Sequence, residues 1–160
     1  VTANINGNRV TTSDNIAYAN FEKIVLEGGL EIKTIGLLQG YNIQLDQGYI
    51  DYSAYNGKLN VVASSATIAV NDAANAAVKD IFSVLSPWIG TVIGNDRDNT
   101  FSGEGAFLLG RGNDIVNATT APQKFTSVIF TGGNDVVNNA SHTSLFFKDS
   151  ITYSIRLIWA

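Results

Sequence analysis

Apolar and polar residues alternate along most of this chain in short runs that end at glycine or amide-rich turns, and a period of two predicts strands. Residues 21–26 run to Gly28-Gly29, residues 30–35 to Gly36, and residues 41–45 to Asp46-Gln47-Gly48. Residues 49–55, 59–62 and 66–70 continue the series. Asn56-Gly57 between two such runs is a hairpin signal, which makes part of this half antiparallel. Spacings of about ten residues equally suit successive rungs of a solenoid. The pattern leaves both arrangements open.

One stretch departs from the alternation and predicts a helix over about 72–85. Asn71 or Asp72 caps it, and alanines fill Ala73, Ala74, Ala76 and Ala77. Ala74, Ala77, Val78, Ile81, Val84 and Leu85 fall on one face before Ser86-Pro87 ends it, so the helix is expected to pack on the sheet. Strand patterning returns at residues 144–147 and 151–160, where Ile151, Tyr153, Ile155, Leu157 and Trp159 share a face. That last strand either completes the core, pairs with a neighbouring subunit's open edge, or is the remnant of a C-terminal secretion signal. The expected fold is mainly β, one domain over 1–160: a strand-rich part over 1–70, a helical segment over 71–87, a repeat region over 90–140 and terminal strands over 144–160.

The repeat region is written in Gly-Asn-Asp, at Gly94-Asn95-Asp96, Gly112-Asn113-Asp114 and Gly133-Asn134-Asp135, more often than composition supplies. Two copies extend to Gly112-Asn113-Asp114-Ile115-Val116-Asn117 and Gly133-Asn134-Asp135-Val136-Val137-Asn138. Glycine permits the positive φ of a tight turn, and Asp offers carboxylate oxygen to a cation or caps the turn's amides. In the β-branched pair that follows, one side chain points inward.

Residues 109–117 resemble the nonapeptide G-G-x-G-x-D-x-U-x of secreted bacterial RTX proteins, departing only at the first glycine, where Leu109 stands. Around Asp135 the pattern keeps Gly133, Asp135 and Val137 but has Phe130 and Thr131 at the first two glycines. Asp96 and Asp114 are 18 residues apart, two nonapeptides, whereas Asp114 and Asp135 are 21 apart, so the register breaks between them. The resemblance implies a degenerate, calcium-associated parallel β-roll or β-solenoid. Its implied calcium (Ca2+) ligands are Asp96, Asp98, Asp114 and Asp135, with Gly112 and Gly133 in the ligand-bearing turns. The other role open to each Asp is a metal-free turn cap.

Composition narrows the function. Only 15% of residues are charged and the net charge is −4, so nucleic acid is not an expected partner. The chain has no Cys and hence no disulfide framework or thiolate nucleophile, and no apolar run approaches a membrane span. It also has no Met, so Val1 is not a translation start and a mature or excised chain is expected. Catalytic material is thin: a single histidine, His142, in a polar stretch, and no G-x-S-x-G elbow. The chain is therefore expected not to be an enzyme.

Three function classes follow. The first is a non-catalytic, calcium-associated structural or binding module of an exported bacterial protein of adhesin, toxin or surface-layer type, secreted or at the cell surface. The second is a self-assembling subunit of an extracellular filament or layer, joined through its terminal strand or sheet edges. The third is a β-helix that binds or modifies polysaccharide, suggested by six Tyr and two Trp beside Asn and Asp.

Overall fold

A computed structural model describes residues 2–6, 9–12, 17–19, 23–26, 30–34, 37, 42–45, 48–84, 91–148 and 154–159. The strands of the first half are β1 (Thr2–Asn6), β2 (Arg9–Thr12), β3 (Ala17–Ala19), β4 (Lys23–Leu26), β5 (Leu30–Thr34), β6 (Asn42–Leu45), β7 (Gly48–Asp51), β8 (Leu59–Ala63), β9 (Thr67–Asp72) and β10 (Asn75–Val84). Those of the second half are β11 (Thr91–Ile93), β12 (Thr100–Gly103), β13 (Gly105–Leu108), β14 (Ile115–Ala118), β15 (Thr126–Phe130), β16 (Asn134–Asn138), β17 (Thr143–Phe147) and β18 (Ser154–Ile158). They form two 9-stranded sheets, ordered β17-β15-β13-β11-β7-β5-β1-β2-β3 and β18-β16-β14-β12-β8-β9-β10-β6-β4.

From β11 onward the chain alternates between the sheets, odd strands in one and even strands in the other, and every neighbouring pair is parallel. Each two-strand rung therefore lies on the one before. Inward-facing side chains meet between the sheets: Phe101 of β12 and Phe107 of β13 stand with ring centroids 5.2 Å apart, both fully buried. Around them Val61, Val92, Val116, Val128, Phe130 and Val137 fill one continuous core. The β-branched pairs behave as expected, with Val116 and Val137 inside and Ile115 at the surface.

The predicted helix over 72–85 is not formed: residues 75–84 are strand β10, antiparallel to β9 and parallel to β6. The segment 71–87 is accordingly not a helical unit, and its last residues, 85–87, lie outside the described residues. Burial has a period of two, with Asp80 and Phe82 inside and Lys79, Ile81 and Ser83 exposed. Ile81, assigned to the buried helical face, points outward, and Phe82, left off that face, is in the core. The alanine-rich start is spent on a turn in which Asp72 Oδ1 accepts the N–H groups of Ala74 (2.8 Å) and Asn75 (3.0 Å). Asp72 caps, but it caps a hairpin, because two flanking sheet strands outweigh alanine's modest helix preference.

Antiparallel pairing does occur in the first half, though not at Asn56-Gly57. That turn joins β7 and β8, which belong to different sheets, and the hairpins are β8–β9, β9–β10, β1–β2 and β2–β3. The expected strands over 30–35, 41–45, 59–62, 66–70 and 144–147 reappear within a residue or two as β5, β6, β8, β9 and β17.

Candidate functional site

The turns that enter β12, β14 and β16 lie on top of one another, and the register fixes which residues are equivalent. Thr100 pairs with Ile115 and Ile115 with Val136, offsets of 15 and then 21 residues. The partner of Gly112-Asn113-Asp114 on the preceding rung is therefore Arg97-Asp98-Asn99, and Gly94-Asn95-Asp96 sits three positions out of phase. The 18-residue spacing from Asp96 to Asp114 is not a structural period.

Asn99, Asp114 and Asp135 form a buried column at the inner corner of the stack. Asn99 Oδ1 accepts the N–H of Leu59 at 3.0 Å, Asp114 Oδ1 accepts the N–H of Asn99 at 2.7 Å, and Asp135 Oδ1 accepts the N–H of Asp114 at 2.9 Å. Each side chain thus satisfies a buried amide one rung back, a donor that would be costly to leave unpaired. Asn99 Nδ2 also donates to the Asn95 carbonyl at 3.0 Å. The column ends at apolar residues, Leu59 before it and Ile155 after.

Asp96 and Asp98 lie on the exposed side of the same turns. Asp96 Oδ1 accepts the Arg111 N–H at 3.2 Å and Asp98 Oδ1 the Asn113 N–H at 3.0 Å, while Asn113 Oδ1 accepts the Asn134 N–H at 3.1 Å. A third ladder runs along the second sheet: Asn138 Nδ2 donates to Asn117 Oδ1 at 2.8 Å, and Asn117 Nδ2 to Ser102 Oγ at 3.3 Å. Stacked amides of this kind link one rung to the next through side chains as well as backbone.

The glycines allow the close approach. A Cβ at Gly112 would overlap the Arg97 carbonyl oxygen, and one at Gly133 the Gly112 carbonyl oxygen. Gly133 also has a φ of 98°, the left-handed conformation expected of it, whereas Gly112 is required by space alone.

Electrostatics separate the four aspartates. Burial pushes the Asp114 carboxyl up to about 8, against the lowering effect of the Asn99 N–H, with Asp135 and Asp98 adding repulsion. Burial raises Asp135 to about 6, opposed by the Asp114 N–H. Asp98 is held below its ordinary value, first by the Asn113 N–H and then by Lys58. The second oxygens of Asp114 and Asp135 are buried and have no hydrogen-bond partner among the described residues. The structure thus brings Asp114 and Asp135 together on adjacent rungs and keeps Asp96 and Asp98 at the surface. No three His, Cys, Asp or Glu side chains converge among the described residues. His142 belongs to a short 3-10 turn, Ala140–His142.

Pattern reading missed Asn99, Asn117 and Asn138, and it also missed the buried pair in which Tyr52 Oη donates to Asp80 Oδ2 at 2.6 Å. A signal for the ladders was present. Asp98-Asn99-Thr100-Phe101-Ser102, Asn113-Asp114-Ile115-Val116-Asn117 and Asn134-Asp135-Val136-Val137-Asn138 share an Asx pair, an outward residue, an inward apolar residue and a small polar one. Comparison with protein-family models, with curated proteins and with solved structures finds no match to this chain.

Proposed function

We propose that this chain is a non-catalytic structural module of an exported bacterial protein, a β-roll-like stack whose turns are locked rung to rung by Asx side chains. The column Asn99, Asp114, Asp135 carries the reading, because its carboxylates serve backbone amides of the fold. Asp96 and Asp98, at the surface, serve backbone amides too. Export rests on the resemblance to secreted repeat proteins and, weakly, on the absence of Cys.

Calcium association belongs to the same proposal. The unpaired buried oxygens of Asp114 and Asp135 suit a cation, and these two residues would hold it, with turn carbonyls supplying further oxygens. A bound divalent ion would supply the positive charge that lets both buried carboxylates ionise.

The test is a calcium titration of EDTA-treated protein followed by circular dichroism and calorimetry, with Asp114→Ala as control. The expected result is a β spectrum already present in EDTA and a rise in melting temperature with calcium that the variant lacks. A chain unfolded in EDTA would sink the self-locked turns; no rise with calcium would sink the cation.

A further inference from the structure

Asn56-Gly57 forms no hairpin, and its chemistry is unused by the fold. The turn between β7 and β8 carries Asn56 exposed at the surface. A buried amide holds the main chain on either side of it, since Asn95 Nδ2 donates to the Tyr55 carbonyl at 2.6 Å and to the Gly57 carbonyl at 2.8 Å. The Gly57 N–H has no hydrogen-bond partner among the described residues. Space requires glycine at this position, because a Cβ would overlap the Tyr55 ring, which the bond from its hydroxyl to Asp72 holds in place. An unshielded backbone nitrogen therefore follows an exposed side-chain amide.

The stack adds a third group. Arg97, 41 residues further along the chain, lies on the turn before β12, and its Nη2 donates to Asn56 Oδ1. A cation on that oxygen draws electron density from Cγ and stabilises the negative oxygen that forms when a nucleophile adds there. The Gly57 nitrogen is such a nucleophile, and its attack on Cγ closes a five-membered ring within the chain. Electrophile, activating cation and nucleophile meet at one exposed turn.

We propose that Asn56 is a site of spontaneous deamidation promoted by Arg97. The Gly57 nitrogen bonds to Asn56 Cγ, the Cγ–Nδ2 bond breaks, and the proton of the Gly57 N–H ends on the departing ammonia. Water then opens the cyclic imide, adding hydroxyl to one carbonyl carbon and a proton to the imide nitrogen. Opening at Cγ leaves an aspartate at position 56, and opening at the main-chain carbonyl leaves its isomer, with one more atom in the backbone. Either product sets a carboxylate in the turn that holds Arg97 and adds one negative charge to the chain. The inference goes beyond the structural reading above and does not depend on it.

The experiment is incubation of the folded protein at mildly alkaline pH, with peptide mass spectrometry at intervals and the same series in urea. Asn6-Gly7, the other Asn-Gly of the chain, is followed in the same samples. The expected result is conversion at Asn56 that Arg97→Ala slows about fivefold in the folded protein, a modest factor because the donor works in water and not in a dry site. Arg97→Lys, which keeps the charge, is expected to fall between. In urea the variants and the wild type are expected to convert at one rate, as is Asn6 throughout. An Asn56 that stays intact in the folded protein while it converts in urea overturns the proposal, and so do equal folded-state rates for the wild type and Arg97→Ala. Circular dichroism identifies a variant that fails to fold, and Arg97→Lys then carries the comparison.

Discussion

The inner rungs and the terminal rung are built from the same two-strand unit, yet they are finished differently. On the inner rungs every inward apolar residue is sealed above and below, and the corner is occupied by Asn99, Asp114 and Asp135, each bonded to the rung before. On the last rung Ile155 takes the corner, Ile158 follows Asn138 in the amide ladder, and the inward Leu145 and Leu157 are only half-buried. Polar columns therefore lock the interior of the stack, and apolar residues terminate them. The difference teaches that Gly-Asn-Asp here is stacking chemistry: glycine lets two backbones touch, and the Asx side chain binds the amide that this contact brings within reach.

The contrast breaks most severely at a glycine. Gly133→Ala places a methyl group on the Gly112 carbonyl at a positive φ, and we expect a loss on the order of 5 kcal/mol, close to the stability of a whole domain. Urea denaturation checks it. A loss within experimental error would mean the turns do not stack as described.

Core truncations at the two places should differ. Phe101→Ala in the sealed interior is expected to cost about 3–5 kcal/mol, and Leu157→Ala, at a half-buried position on the last rung, about 1–2 kcal/mol, both read from denaturant midpoints. Equal costs would show that Leu157 is enclosed as completely as Phe101, against its half-buried place here.

The corner column gives a pH dependence. The folded-state values of Asp114 and Asp135, about 8 and about 6, lie above the ordinary 3.8, so the folded chain holds more protons in that window. The stability these two carboxyls contribute in metal-free buffer is expected to be fully present below about pH 4, to fall as pH rises towards 8, and to level off beyond. Asp114→Asn keeps the Oδ1 acceptor for Asn99 and removes one titration, so its melting temperature should fall less steeply, chiefly below about pH 6 where Asp135 titrates. Parallel pH profiles for the two proteins would contradict the buried column. The smallest effect is at the surface, where Asn138→Ala interrupts the amide ladder at an expected cost of about 0.5–1 kcal/mol.

Much of this was legible in the chain. Alternation located most strands, because a period of two survives wherever one face is buried, and the β-branched residues after each Asp were read correctly as one in, one out. The helix failed for a physical reason: the helix preference of the alanines in residues 73–77 is local and small, and the deciding residue, Phe82, acts through contacts with distant strands. The phase of the repeat was lost because loops of unequal length, Gly103 to Gly105 on one rung and Ala118 to Thr126 on the next, set the offsets at 15 and 21. Matching Gly-Asn-Asp by spelling paired Asp96 with Asp114, whereas the stack pairs Asn99 with it.

Amide hydrogen exchange in EDTA tests the central claim most directly, read at the Asn99 and Asp114 N–H groups against those of β17 and β18. The account predicts slow exchange at Asn99 and Asp114 without calcium, and faster exchange along β17 and β18, the last strands of the two sheets among the described residues. Fast exchange at Asn99 and Asp114 that slows only when calcium is added would contradict it, because the metal and not the Asx column would then be closing the turns.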